Sequence, residues 1–171
     1  MSEPVPTAPD APSRSGAPPR AAVRAASAED APAVAAAIEA LLIELGGERP
    51  ATAELESAAR ELAEDRSLGA LLLAEAEGTV IGVLAASWQH AIHVPGRYGT
   101  IQDLWVSPEW RSRAIGRELI EALAWMGGEM GIARLEVGLP KEGFAALGAT
   151  ERFYRVNGFE HLGPRMRRLL S

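Results

Sequence analysis

The residues best equipped for chemistry in this 171-residue chain lie in one stretch, Ile101-Gln-Asp-Leu-Trp-Val-Ser-Pro-Glu-Trp-Arg-Ser-Arg-Ala-Ile-Gly-Arg-Glu-Leu-Ile120. Alternation over Tyr98–Val106 predicts a strand, closed by Ser107-Pro108. Ala114–Met130 then carries Ile115, Leu119, Ile120, Leu123 and Met126 at helical spacing. The turn between them offers unpaired N–H groups and the positive end of a helix dipole, which together suit an anion such as a phosphate. Arg111, Arg113 and Arg117 add full charges around it, and Gly116 lets a ligand approach the backbone closely. The competing reading is a solvated helix start that carries arginines. Other chemistries lack their residues. With no cysteine there is no thiolate nucleophile, disulfide or thiolate metal site. His90 and His93 lack the further ligands a zinc site needs, so no metal is expected. The P-loop, nucleophile-elbow and zinc-protease signatures are absent.

The elements that must position this turn follow from periodicity. Ala22–Ala26 reads as a short strand, and Ser27-Ala-Glu-Asp30 as a capping box with Asp in place of Glu. Ala31–Leu45 and about Thr52–Asp65 are amphipathic helices, the first stopped by Gly46-Gly47. Strands are expected at Ala70–Ala76 and Thr79–Trp88, joined by a tight turn at Glu77-Gly78. Gln89–Arg97 is expected to be a loop turning at Pro95-Gly96. After the long helix come a strand at Arg134–Leu139 and a mostly helical Phe144–Val156, with Gly158 placed to end it. Phe159–Leu170 is expected as a closing strand or hairpin. The order β-α-α-β-β-β-α-β-α-β predicts an α/β or α+β fold with a mixed sheet.

Composition bounds the partners. Residues 1–20 hold six prolines and hardly a large apolar side chain, so they are expected to form a disordered tail ahead of one domain over 21–171. That tail lacks the basic and continuous apolar regions of a secretory signal, and no apolar run approaches the ~18 residues of a membrane span. A cytoplasmic protein is expected. Net charge is −6, carried as −8 by residues 1–85 and +2 by residues 86–171. Global acidity opposes nucleic-acid binding, which depends on neutralising phosphates. An anionic ligand belongs to the second half.

On these residues the chain resembles the GNAT acyltransferases, whose donor motif reads Arg/Gln-x-x-Gly-x-Gly/Ala at a strand-to-helix turn. Here Arg111-Ser-Arg-Ala-Ile-Gly116 follows Asp103-Leu-Trp-Val-x-Pro108, and Phe153-Tyr154-Arg-Val-Asn-Gly158-Phe159 is similar to the family's late helix end. The resemblance covers about residues 22–171. It implies a mixed, mostly antiparallel sheet of about six to seven strands flanked by about four helices. It also implies acetyl-CoA as acyl donor and direct attack by a primary amine, in a small molecule or a protein, within a ternary complex. Backbone groups of Leu104, Trp105 and Val106 would pair with the pantetheine arm, and one N–H would stabilise the tetrahedral oxyanion. N–H groups of Arg111, Ser112, Arg113, Ala114, Ile115, Gly116 and Arg117 would hold the pyrophosphate. Tyr154 would act as general acid, protonating the departing thiolate once its site tunes the phenol. Dimerisation through the last strands is common in such proteins.

Departures from the pattern shape the expectations. Ala114 stands where glycine is commoner, and its Cβ disfavours positive φ. Gln102 stands where some relatives carry a glutamate base. An alkyl ammonium must lose a proton before it attacks, and Asp103 and His90 are the base candidates. In a regular strand Asp103 faces away from Gln102 and Leu104, and its competing role is a hydrogen bond across the sheet. Trp88, Trp105, Trp110 and Phe144 are candidates for an acceptor pocket, although such residues more often pack the core or its rim. Arg165, Arg167 and Arg168 form a basic patch. A non-catalytic acyl-CoA-binding sensor or interaction module on the same fold is the rival reading.

Overall fold

The computed structural model describes residues 20–163 of the chain. Its sheet is built from strands β1 (Ala22–Ala25), β2 (Gly69–Ala76), β3 (Thr79–Ala91), β4 (Val94–Val106) and β5 (Leu135–Val137), in spatial order 1-2-3-4-5. Neighbours are antiparallel except β4 and β5, which are parallel. Four helices cover it: α1 (Ala31–Leu45), α2 (Thr52–Glu64), α3 (Ile115–Glu129) and α4 (Leu147–Val156).

The apolar run in β2, Ala70-Leu-Leu-Leu-Ala74, is continuous because both of its faces are covered. Leu72 and Ala74 join Leu84, Ala86 and Trp88 of β3 beneath Ile115, Leu119, Ile120 and Leu123 of α3. Leu71 and Leu73 join Val83 and Ala85 beneath Ala31, Val34 and Ala37 of α1 and Ala59 of α2. The result is a three-layer sandwich. Glu77 and Gly78 both take left-handed φ, +51° and +75°, and close the β2–β3 hairpin in two residues as expected. At the entry to α1 the Ser27 N–H and hydroxyl both donate to the Asp30 carboxylate (2.7 and 3.0 Å), so Asp serves the capping box in place of Glu.

Three expectations need correction. Gln89–Arg97 is not a loop: β3 runs on to Ala91 and β4 starts at Val94, leaving Ile92-His93 as the turn. The pairing Gln89↔Tyr98 and His90↔Arg97, with the Tyr98 hydroxyl donating to Gln89 Oε1 (2.7 Å), holds this polar ribbon together. Pro95-Gly96 therefore lies within a strand. The sheet has five strands among the described residues, fewer than the six to seven expected. Residues 159–163 of the expected closing strand are irregular; its remainder, with Arg165, Arg167 and Arg168, and residues 1–19 of the expected tail lie outside the described residues. No helix among the described residues is long and apolar enough to cross a membrane.

Candidate functional site

Two irregularities in β4 make the site. The first is a bulge. Ala86 pairs with Ile101 but Ala85 pairs with Asp103, so Gln102 is left without a partner. The inserted residue resets which side chains face which helices. Ile101 and Leu104 face the α3 cluster, whereas Asp103 lies opposite Ala85 and Trp105 packs against the α1–α2 cluster. The Gln102 amide donates to Ser87 Oγ (2.8 Å), and Ser87 shares a strand face with Ala85. Gln102 and Asp103 thus share that face, contrary to the regular alternation expected of them.

The second irregularity is a gap. β5 pairs with β4 only as far as Ile101↔Val137, so among the described residues Gln102–Val106 have a strand neighbour on the β3 side alone. Ser107 donates its N–H to Ile81 O (2.8 Å), which sets the phase of the ladder. Asp103 and Trp105 turn their backbone groups toward β3; Leu104 and Val106 turn theirs into the gap. Of the three residues expected to pair with a ligand arm, Trp105 is therefore already used by the sheet.

At the end of this open edge the chain turns into α3. Ser112 and Ala114 both adopt left-handed φ (+62° and +64°), so Ala114 takes the conformation that a glycine would take more cheaply. Among the described residues, none of the N–H groups of Ser112 to Arg117 meets a protein acceptor at hydrogen-bonding geometry. The three arginines differ. Arg111 donates to Val106 O (3.0 Å) and to Glu44 of α1, and Arg117 is paired with Glu121 one turn on. Arg113 lies over the face of Trp110, 5.0 Å from its centroid, and makes no ion pair among the described residues. Gly116 also has a packing reason to be small. A Cβ there would come within 2.9 Å of Phe153 Cζ, so the glycine lets α4 pack against the start of α3.

That packing fixes Tyr154. Phe153 and Phe159 meet its ring edge-on at 5.2 and 5.3 Å, and Gly158, at φ +86°, turns the chain so that Phe159 returns over it. Tyr154 is 8% exposed. Burial pushes its phenol up to about 12, and the charge of Asp103 adds to the rise, which brings these two groups within electrostatic reach. Asp103 is half-buried, has no hydrogen-bond partner among the described residues, and its proton affinity is raised by burial. The cross-sheet hydrogen bond considered for it is not made. His90 sits five residues along β3 from Ala85, about 17 Å away at strand rise, exposed near the tip of the ribbon. Trp88 belongs to the core, with its indole N–H on Arg66 O (3.1 Å). Phe144 lies in the turn before α4. Among the described residues no group of three or more His, Asp or Glu side chains is placed to hold a metal. Ser87 and Glu44 were missed by sequence reasoning. A serine inside an apolar strand and an acid in the last turn of a helix, where the dipole disfavours it, were the available signals.

The model of the acetyltransferase (GNAT) family matches residues 35–159. No curated protein matches the sequence significantly. Among solved structures, the aminoglycoside N-acetyltransferase AAC(6')-Iy in complex with CoA superposes with a TM-score of 0.75 at 16% identity, over 89% of this chain and 95% of that one. A possible acetyltransferase from Clostridium difficile 630 gives 0.74 at 17% identity, over 88% and 98%. A ribosomal-protein-alanine N-acetyltransferase from Brucella melitensis biovar Abortus 2308 gives 0.69 at 18%, over 89% and 100%. At these identities the structural likeness establishes the fold.

Proposed function

Because the chain belongs to the GNAT acetyltransferase family, and is thereby an N-acetyltransferase that uses acetyl-CoA, we propose that it moves the acetyl group to a primary amine by direct attack in a ternary complex. The observation that carries this reading is the edge of β4, open among the described residues, running into the turn at 112–117, whose N–H groups lack acceptors among those residues. The outward backbone groups of Leu104 and Val106 suit the extended, amide-bearing arm of the donor, and an outward N–H is suited to the oxyanion of the tetrahedral intermediate. The diphosphate falls to the amides of Ser112 to Arg117 and to Arg113. Ala114 adopts the left-handed φ of this turn in spite of its Cβ, so the turn keeps the backbone shape a glycine would give it.

Asp103 is the base this reading favours. Its raised proton affinity and missing partners suit a group that takes a proton from an ammonium. Gln102 cannot take a proton, and His90 lies too far along the ribbon. Tyr154 remains protonated across the physiological range and serves as hydrogen-bond donor and acid toward the leaving thiolate. Aminoglycosides and ribosomal-protein alanine, named for the similar structures, illustrate the acceptor class this reading favours: a basic primary amine.

Calorimetric titration of the protein with acetyl-CoA, with adenosine diphosphate as control, tests the donor site, and an amine panel read by thiol release tests transfer. Saturable one-site binding well above the control, together with amine-dependent thiol release, is expected. Binding without release on any amine would favour the sensor reading, and absence of binding up to millimolar donor would overturn the assignment.

A further inference from the structure

Arg111 has been counted among the donor-binding arginines, yet its guanidinium is occupied. It joins three elements at once: the turn it belongs to, the last carbonyl of β4 at Val106 (3.0 Å), and Glu44 in the final turn of α1. Glu44 is at the helix end where the dipole disfavours an acid, so Arg111 supplies the compensating charge. Beyond Glu44, α1 stops at Gly46 in a left-handed cap, and residues 46–51 lead into α2. α1 and α2 cover the sheet face that carries Asp103 and packs Trp105. One side chain therefore connects the phosphate turn to the helices on the acceptor side.

We propose that Glu44 is a positioning residue of the donor site: acting through Arg111, it competes with the donor's diphosphate, so that donor binding frees the end of α1 and the 46–51 segment. The inference rests on the donor-turn reading given above. A diphosphate placed on the amides of 112–117 brings a second anion beside Arg111. Glu44 and the diphosphate then repel each other and share one cation. Because Arg111 also caps Val106 O in the gap, its release exposes a backbone acceptor on the edge where the donor arm is expected. Donor binding and the freedom of the α1 end and the 46–51 segment become coupled.

The test uses the full chain and CoA as probe. Glu44→Gln and the wild type are titrated calorimetrically at low and at moderate salt, while hydrogen exchange is followed over residues 42–51 with and without CoA. Glu44→Gln should bind CoA about two- to fivefold tighter, the range set by an exposed ion pair, with the advantage shrinking as salt is raised. In the wild type CoA should speed exchange over 42–51; in Glu44→Gln that exchange should be fast already and indifferent to CoA. Arg111→Lys, which keeps the charge but loses the fork that spans both partners, should also exchange fast over 42–51. Equal or weaker CoA binding by Glu44→Gln, or exchange that ignores CoA in the wild type, overturns the coupling. Wild-type protein that fails to bind CoA at all overturns the donor-turn reading itself.

Discussion

At the scale of single residues, the proposed mechanism turns on two proton affinities that burial raises together. The expectation was that the site would tune Tyr154 toward its task; the structure tunes it upward, to about 12. Full transfer of that proton to a thiolate of pKa about 8.5 would run uphill by roughly 3–4 units, or about 5 kcal/mol. Tyr154 therefore works best by sharing its proton as the C–S bond breaks. Asp103 must be ionised to act, and its shift is also upward, so the acid limb of the rate should lie above the ordinary carboxylate range near ~4. Activity should fall as pH drops through that raised value and should not fall on the alkaline side until Tyr154 ionises. Tyr154→Phe should lower turnover roughly 10- to 100-fold with little change in acetyl-CoA affinity, and Asp103→Asn should remove the acid limb. Thiol-release profiles of the three proteins decide this: a Tyr154→Phe variant with full turnover ends the acid role, and an acid limb that survives in Asp103→Asn moves the base elsewhere. Tyr154 was legible because Gly158-Phe159 follows it. The environment of Asp103 was not, since a strand read by alternation has no place for an unpaired Gln102.

At the scale of elements, the strand–turn–helix unit around β4 and α3 was readable almost to the residue, with α3 observed at Ile115–Glu129 against the expected 114–130. Its two small residues have unlike reasons. Ala114 pays about 1 kcal/mol for left-handed φ, whereas Gly116 leaves room for Phe153. Ala114→Gly should therefore raise stability slightly, by about 0.5 kcal/mol once the added freedom of the unfolded chain is subtracted. Gly116→Ala should lower it by roughly 1–3 kcal/mol by overpacking, and should disturb the ring packed edge-on against Tyr154. Urea unfolding of both variants checks the signs; two changes in the same direction would mean that the turn is not arranged as described. The β3–β4 ribbon was misread because Pro95-Gly96 is a strong local turn signal. Cross-strand pairing through Gln89 and Tyr98 overrode it, and no local rule contains that pairing.

At the scale of the whole molecule, the sandwich is held at its β1 edge by Arg24, which bridges Asp30 ahead of α1 (2.7 Å) and Glu75 of β2 (2.8 Å). The hydrogen bond from Arg24 holds the Asp30 carboxyl well below its usual range, and Ser27 adds to it. A depressed carboxylate contributes stability above its unfolded value near ~3.9 and loses it as pH falls toward the folded one. The groups are partly exposed, so screening discounts the contribution to about 1 kcal/mol. Asp30→Asn should thus be about 1 kcal/mol less stable than the wild type at pH 7, and the difference should shrink as pH falls below the ordinary carboxylate range toward the depressed folded value. A gap in urea unfolding that does not narrow at all as pH is lowered would assign the loss to capping geometry rather than to charge.

Read alone, the order of residues determined the secondary elements, the anion-ready turn and the two motifs, because caps, glycines and apolar spacing act over a few residues. The class of chemistry came with the resemblance of those two motifs to a known family. Which groups meet was decided only by the tertiary structure. The bulge at Gln102 chose the face of Asp103, and the end of pairing at Ile101↔Val137 opened the edge of β4. The contact of Arg111 with Glu44, 67 positions apart, tied one arginine of the turn to α1. Each of these depends on strand register or on packing between distant segments, where burial and pairing outweigh any local preference.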